Sequence, residues 1–284
     1  MKNLFQLLIG FLTISLVVSC SKDSVEAFNQ DNLEVVIAKS ESDFVIESDV
    51  TLGNDAAARR GAFSGTSSPD PNTANLPACA VITVLAGGPS GGTFVFPFKV
   101  EIDFGTGCTN ANGITRKGKL TIEFSNYLMA PGSVMTIVRG DNYYINLRKV
   151  EGTIAYTNTS TSAATPSWTR VVTNGKVTRP NGQVFTHAGS RSVVMAAGAG
   201  TPTMGDNVYH VIAGTHSVTR PNGITMNATI QEMLVKRYSC AHIEQGKINL
   251  VGGLVNGVLD YGDGTCDNQA TYTHVNGTVY NINL

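Results

Sequence analysis

From Cys79 onward the chain alternates between apolar and polar residues with a period of two. Val100, Ile102 and Phe104 alternate with Lys99, Glu101 and Asp103, and Leu120, Ile122 and Phe124 with Lys119, Thr121 and Glu123; Ile224, Met226, Ala228 and Ile230 do the same with Thr225, Asn227 and Thr229. Successive side chains of a strand point to opposite faces, so the pattern predicts antiparallel strands with one buried and one solvated face. The turns agree. Arg179-Pro180-Asn181-Gly182 and Arg220-Pro221-Asn222-Gly223 place proline where its fixed φ opens a type I turn and glycine where a positive φ closes a bulged hairpin. The expected fold is mainly β: an antiparallel meander of long hairpins, about 12 to 14 strands, forming a sandwich or an open curved roll.

Upstream the pattern changes. Residues 21–78 are polar and irregular and end in Gly65-Thr66-Ser67-Ser68-Pro69-Asp70-Pro71-Asn72, a stretch unsuited to a core that reads as linker. Within it, Leu33, Val36, Ile37 and Phe44 stand at roughly helical spacing, which predicts a short amphipathic helix between Asn32 and Ile46. The expected organisation is a polar tether over 20–75 and a β domain over 76–284.

Residues 1–19 read as a leader. Lys2 precedes an apolar stretch from Leu4 to Val18, broken only by Gln6, Gly10, Thr13 and Ser15. That is the order of a secretory signal, and at about 15 residues it is short of the roughly 20 needed to span a bilayer as a helix. The run ends in Val17-Val18-Ser19-Cys20, which resembles the lipobox of bacterial lipoproteins. The resemblance implies lipid on the Cys20 thiol and cleavage just before it; the alternative is an ordinary signal peptide with Cys20 incidental. A single acyl chain binds a membrane marginally, whereas two or more hold stably. By analogy with such lipoproteins, Ser21 after the cysteine implies delivery to the outer membrane, on its periplasmic or its surface-exposed face. Asp23-Ser24-Val25 resembles the O-glycosylation acceptor of Bacteroidota.

Composition narrows the partners. Removing the leader leaves about 265 residues, and the chain is near neutral at −1, 14% charged, with 30 glycines. This suits one large β domain or two small ones, and the lack of a basic excess argues against nucleic acid. Besides Cys20 there are four cysteines, Cys79, Cys108, Cys240 and Cys266. An even number in an exported chain reads as disulfides, and none has the close C-x-x-C spacing of a zinc site. Cys79-Ala80 leads through β-like sequence to Asp103-Phe104-Gly105-Thr106-Gly107-Cys108, and Cys240-Ala241 leads likewise to Asp260-Tyr261-Gly262-Asp263-Gly264-Thr265-Cys266. This looks like one hairpin unit used twice. A hairpin brings its ends together, so the expected bonds are Cys79 to Cys108 and Cys240 to Cys266.

The early Asp-Phe-Gly-x-Gly-Cys, the terminal Leu-Asp-Tyr-Gly-Asp-Gly-Thr-Cys-Asp-Asn-x-Ala-Thr, and Tyr143-Tyr144, Val150-Glu151-Gly152-Thr153 and Thr173-Asn174-Gly175-Lys176 between them are similar to a family of uncharacterised Bacteroidota lipoproteins. The likeness covers most of residues 76–284. It implies an envelope location and a β domain, and it brings no activity, ligand or catalytic residue.

Candidate chemistry is sparse. Asp260, Asp263 and Asp267, beside Gly262 and Gly264, would offer oxygen ligands to calcium, but the spacing departs from the EF-hand and Asp-Gly turn chemistry explains the same residues. Of the five histidines, His187, His210, His216, His242 and His274, His210 and His216 are six apart and would share a face of one strand. His187 would approach His216 from the neighbouring strand, giving a loose metal-suited cluster. Solvated strand histidines are the simpler expectation, and no metal or other cofactor is assigned. No G-x-S-x-G and no phosphate loop occurs. Between Gly152 and Gln231, Arg170, Lys176, Arg179, Arg191 and Arg220 face Asp206 alone. This excess would suit an anionic glycan or lipopolysaccharide, against the simpler reading of edge-guarding charges. The resulting expectation is a lipid-anchored envelope protein, non-catalytic, with a glycan or an envelope protein as partner. The alternative is a secreted hydrolase acting on an envelope or dietary polymer.

Overall fold

In the computed structural model, which describes residues 28–64, 75–162, 164–201 and 203–284, the alternating segments form sixteen strands, more than the sequence suggests. A helix, α1 (Gln30–Arg60), precedes β1 (Val81–Ser90), β2 (Thr93–Asp103), β3 (Cys108–Thr109), β4 (Thr115–Lys117), β5 (Lys119–Phe124), β6 (Val134–Arg139), β7 (Tyr144–Ile145) and β8 (Arg148–Asn158). There follow β9 (Ser167–Thr178), β10 (Val184–Ala197), β11 (Val208–Thr219), β12 (Thr225–Arg237), β13 (Gln245–Gly252), β14 (Val255–Asp263), β15 (Gln269–His274) and β16 (Val279–Asn283). All belong to one sheet, ordered β1-β2-β5-β6-β8-β9-β10-β11-β12-β13-β14-β15-β16, with β3, β4 and β7 as a short side ladder. The predicted Arg-Pro-Asn-Gly turns join β9 to β10 and β11 to β12, with Gly182 and Gly223 both at φ 84°. Both predicted disulfides are present: Cys79–Cys108 closes the β1–β2 hairpin and Cys240–Cys266 the β13–β14 hairpin, with Cα separations of 5.8 and 5.7 Å.

The sheet is curled around α1 and left open between β1 and β16. Strands β6 and β14 are seven steps apart in the sheet, about 34 Å if it were flat. Yet Arg139 of β6 and Tyr261 of β14 both bond to carboxylates of the one helix, Asp49 and Asp43. Only a roll allows that. The curl is built from bulges, which add local twist, and pairing shifts register in β8–β9, β9–β10, β10–β11, β11–β12, β12–β13 and β13–β14. Gly152 sits at one of these shifts with φ 104°, where an added Cβ would lie 2.6 Å from the Asn174 carbonyl oxygen. A side chain there would push β8 and β9 apart.

The helix corrects the expected tether. It is 31 residues long, about 46 Å, and residues 32–58 are buried almost throughout, polar residues included. The Asn29 side chain caps its first turn by accepting the Asn32 N–H, and Gly61, left-handed at φ 77°, closes the other end. Gly53 lets α1 approach β6 closely, since a Cβ there would lie 2.6 Å from the Met135 sulfur. Residues 30–60 are therefore the centre of the domain. Cys20 and Asp23-Ser24-Val25 lie outside the described residues.

Candidate functional site

The centre of the roll is where its unusual chemistry lies. An arginine in the apolar phase of a strand points into the core, and there it needs a counter-charge. Arg116, Arg139, Arg170 and Arg191 are all in that phase, and all four are buried. The helix supplies the acids. Asp49 accepts a bond from Arg139 Nε at 2.8 Å and one from the Tyr143 hydroxyl at 2.6 Å, with Arg116 Nε 3.9 Å away. Arg116 also donates to the Ser48 carbonyl oxygen at 3.0 Å. Glu47 pairs with Arg170 at 2.6 Å. Asp43 accepts from Lys39 and from the Tyr261 hydroxyl, and lies 3.4 Å from Arg191. Among the described residues Arg191 has no hydrogen-bond partner and faces Asp43 by charge. Nearer the start of the helix, Glu41 accepts from Arg148 Nε and Arg179 Nε at 2.9 and 2.8 Å, and Arg179 also pairs with Glu34. Arg220 donates to Asn32 at 2.7 Å.

Burial and this charge lattice set the protonation states. Burial would raise the Asp43 carboxyl, but Arg191 and Lys39 overrule it and hold it well below the usual carboxylate range. Lys39 is pushed down to about 7, by burial first and Arg191 second. At Asp55 burial outweighs what opposes it, the Tyr238 hydrogen bond first and the Arg116 charge last. Burial pushes it up to about 7, although it accepts the Asn75 and Leu76 N–H groups at 2.9 and 3.0 Å. Lys236, whose ammonium donates to the Arg237 and Cys240 carbonyl oxygens, is lowered by burial to about 8. His187 is lowered to about 3 by burial and Arg139, and His216 falls well below its ordinary value for the same first reason.

The residues singled out from sequence fall as follows. His187 and His216 do meet, rings stacked 5.2 Å apart between centroids, but each is only 3% exposed. His210 does not join them, because the shift in β11–β12 pairing between Val211 and Thr215 reverses the alternation and turns it to the other face. His242 stacks on Phe44, and the His274 ring lies tilted against that of Phe28, 4.5 Å between centroids. Among the described residues only Cys240, Glu244 and Cys266 cluster at metal-ligand distance, and there the two sulfurs are bonded to each other. Asp260, Asp263 and Asp267 serve turns, each accepting through Oδ1 one N–H, those of Gly262, Thr265 and Gln269.

The anionic-ligand patch is overturned. Arg170, Arg179, Arg191 and Arg220 point inward at the helix, and Lys176 outside is paired with Glu151 at 2.8 Å. An outer depression of about 680 Å³ is lined in part by Thr153, Asn174, Lys176, Ser217 and His187, whose ring nitrogens are buried and without hydrogen bonds among the described residues.

Around the start of the helix lies a second arrangement that sequence reading missed. The β7–β8, β9–β10, β11–β12, β13–β14 and β15–β16 hairpins turn level with one another, as the pairings Lys149↔Thr178, Thr186↔Thr219, Asn227↔Val251 and Gly257↔His274 require. The charged residues at these turns, Arg148, Arg179 and Arg220, are drawn inward onto α1. What remains at the tips is uncharged: Asn146-Leu147, Pro180-Asn181-Gly182, Pro221-Asn222-Gly223, Gly253-Leu254 and Val275-Asn276-Gly277. Leu147 and Val275, 80% and 70% exposed, are the two most exposed large apolar side chains among the described residues. Leu147 is also left-handed, at φ 67°, a conformation costing roughly 1–2 kcal/mol for any residue but glycine. Neither packing nor backbone preference explains a leucine there.

No protein-family model, no curated protein and no solved structure matches the chain.

Proposed function

We propose that this chain is a lipid-anchored protein of the cell envelope, tied to the outer membrane through Cys20, whose domain works without catalysis as a binding or structural element. The reading is carried by one observation: Arg170, Arg179, Arg191 and Arg220 are turned inward onto the helix, and His187 and His216 are buried against each other. A hydrolase needs a base within reach of substrate. His187 and His216 are buried and pushed toward the neutral form, but both are shut off from solvent. The cysteine at the end of the apolar leader supports the anchor, and the paired hairpin disulfides suit an oxidising compartment outside the cytoplasm.

Two measurements test the reading together. Metabolic labelling with an alkyne fatty acid should mark the wild type and not Cys20→Ser; label that persists in the variant would overturn the anchor. A screen against envelope and dietary polysaccharides, with His187→Ala and His216→Ala as controls, should show no hydrolysis. Turnover that those substitutions abolish would establish the hydrolase instead.

A further inference from the structure

We propose that the rim of hairpin tips around the start of α1 is a membrane-contact surface, its apolar tips seated in the interfacial layer of the bilayer that holds the anchor. The proposal rests on the lipid anchor at Cys20 and goes on to say how the domain stands.

Chain length fixes which end faces the lipid. Phe28 is eight positions after Cys20, so even fully extended that segment reaches about 28 Å. Phe28 is already part of the fold, its ring packed on Tyr272, His274 and Tyr280 beside the β15–β16 turn. The rim is therefore the end held close to the membrane, while the opposite end lies about 46 Å further along the helix.

The rim's chemistry fits that neighbour. Leu147 and Val275 project from two tips, with Ile224, Val251 and Val279 exposed beside the adjoining turns. The five tips themselves carry no charged residue, and the arginines beside them, Arg148, Arg179 and Arg220, are engaged by the helix, where Glu34 stays 30% exposed in its pair with Arg179. The loops at the far end carry Asp206 and Asp267 instead. An apolar side chain that stands 80% exposed at a hairpin tip is explained when it leaves water for lipid.

The test uses the full-length, acylated protein in vesicles of phosphatidylethanolamine and phosphatidylglycerol, with and without brominated acyl chains. Tryptophan is placed on the rim in Leu147→Trp and Val275→Trp, and at the far end in Ala164→Trp, an exposed loop position. The native Trp168 is buried and supplies the same background to all three. Bromolipid should quench most of the added emission in the two rim variants, with a blue shift, and leave that of Ala164→Trp unchanged. The mass of the N-terminal peptide is read in parallel. Acylated Cys20 with rim tryptophans quenched no more than the far-end one overturns the membrane contact alone, whether the rim then faces water or a second protein. An unacylated Cys20 overturns the anchor and the contact with it.

Discussion

Asp49→Asn removes one negative charge from a position where two guanidinium groups and a phenol converge, and changes almost no volume. Arg139 and Asp49 are 2.8 Å apart with side chains fully buried, and Arg116 is buried beside them. Water cannot reach these groups to compensate. Breaking a buried pair by removing one partner costs about 3–5 kcal/mol, chiefly because the remaining charge is left unanswered. The variant retains an oxygen to accept from Tyr143, so the loss of that bond is not added. Domains are typically stable by about 5–15 kcal/mol, so the loss is a large fraction of the whole. With a urea dependence of about 3 kcal/mol/M for a chain of this size, the unfolding midpoint should fall by about 1–1.7 M. Trp168 fluorescence reports the transition from the core. Glu151→Gln serves as control: its partner Lys176 is also 2.8 Å away, but the side chains are 27% and 38% exposed, and a pair of that kind contributes about 0–1 kcal/mol. An Asp49→Asn midpoint no lower than that of Glu151→Gln would refute the idea that helix acids neutralise the strand arginines inside the roll.

Four further outcomes are expected. Cys240→Ala/Cys266→Ala should lose about 3–4 kcal/mol by the chain-entropy estimate for a loop of this length, the bond spanning 26 positions, and a midpoint matching wild type would contradict it. His187 has its folded pKa lowered to about 3 from 6.5, so the stability tied to its neutral form is complete above pH 6.5 and is lost as pH falls toward 3. Thermal scans of His187→Gln should therefore show a flatter decline over that window. Asp55, raised to about 7 from 3.8, acts oppositely, favouring the fold at low pH and losing that contribution as pH rises toward 7, so Asp55→Asn should raise stability at pH 8 relative to pH 4. An unchanged pH profile in either variant would count against its burial. Gly152→Ala places a Cβ against the Asn174 carbonyl at a backbone angle side chains avoid, and should cost about 3 kcal/mol or more, seen as a lowered melting temperature with β8–β9 amides exchanging faster.

The strands were legible because each has one wet face, and wet faces alternate. Sixteen strands stood where fewer were expected because pieces as short as Cys108–Thr109 and Tyr144–Ile145 are too brief to show a period. The helix was not legible, for the opposite reason. Amphipathic periodicity marks a helix that lies on a surface, whereas α1 is surrounded, and its Lys39, Asp43, Glu47 and Asp49 occupy several faces where a linker would show similar polarity. A signal did exist. Trp168-Thr169-Arg170-Val171-Val172 and Met135-Thr136-Ile137-Val138-Arg139 place arginine in the inward phase, and such a residue calls for an internal acid from elsewhere in the chain. Only residues 34–55 concentrate acids without strand alternation. The histidine pair was half visible: adjacent strands placed His187 near His216, but the bulge that turned His210 away leaves no mark in a period-two count. The disulfides followed from the repeated hairpin unit, whose ends must meet.

The most direct test of a helix-filled roll is native-state hydrogen exchange across residues 33–58. With α1 enclosed and its acids bonded to the strands, its amides should exchange as slowly as those of β9 and β10, opening only with global unfolding. Exchange of that segment orders of magnitude faster than the strands around it would contradict the claim and return residues 30–60 to a tether.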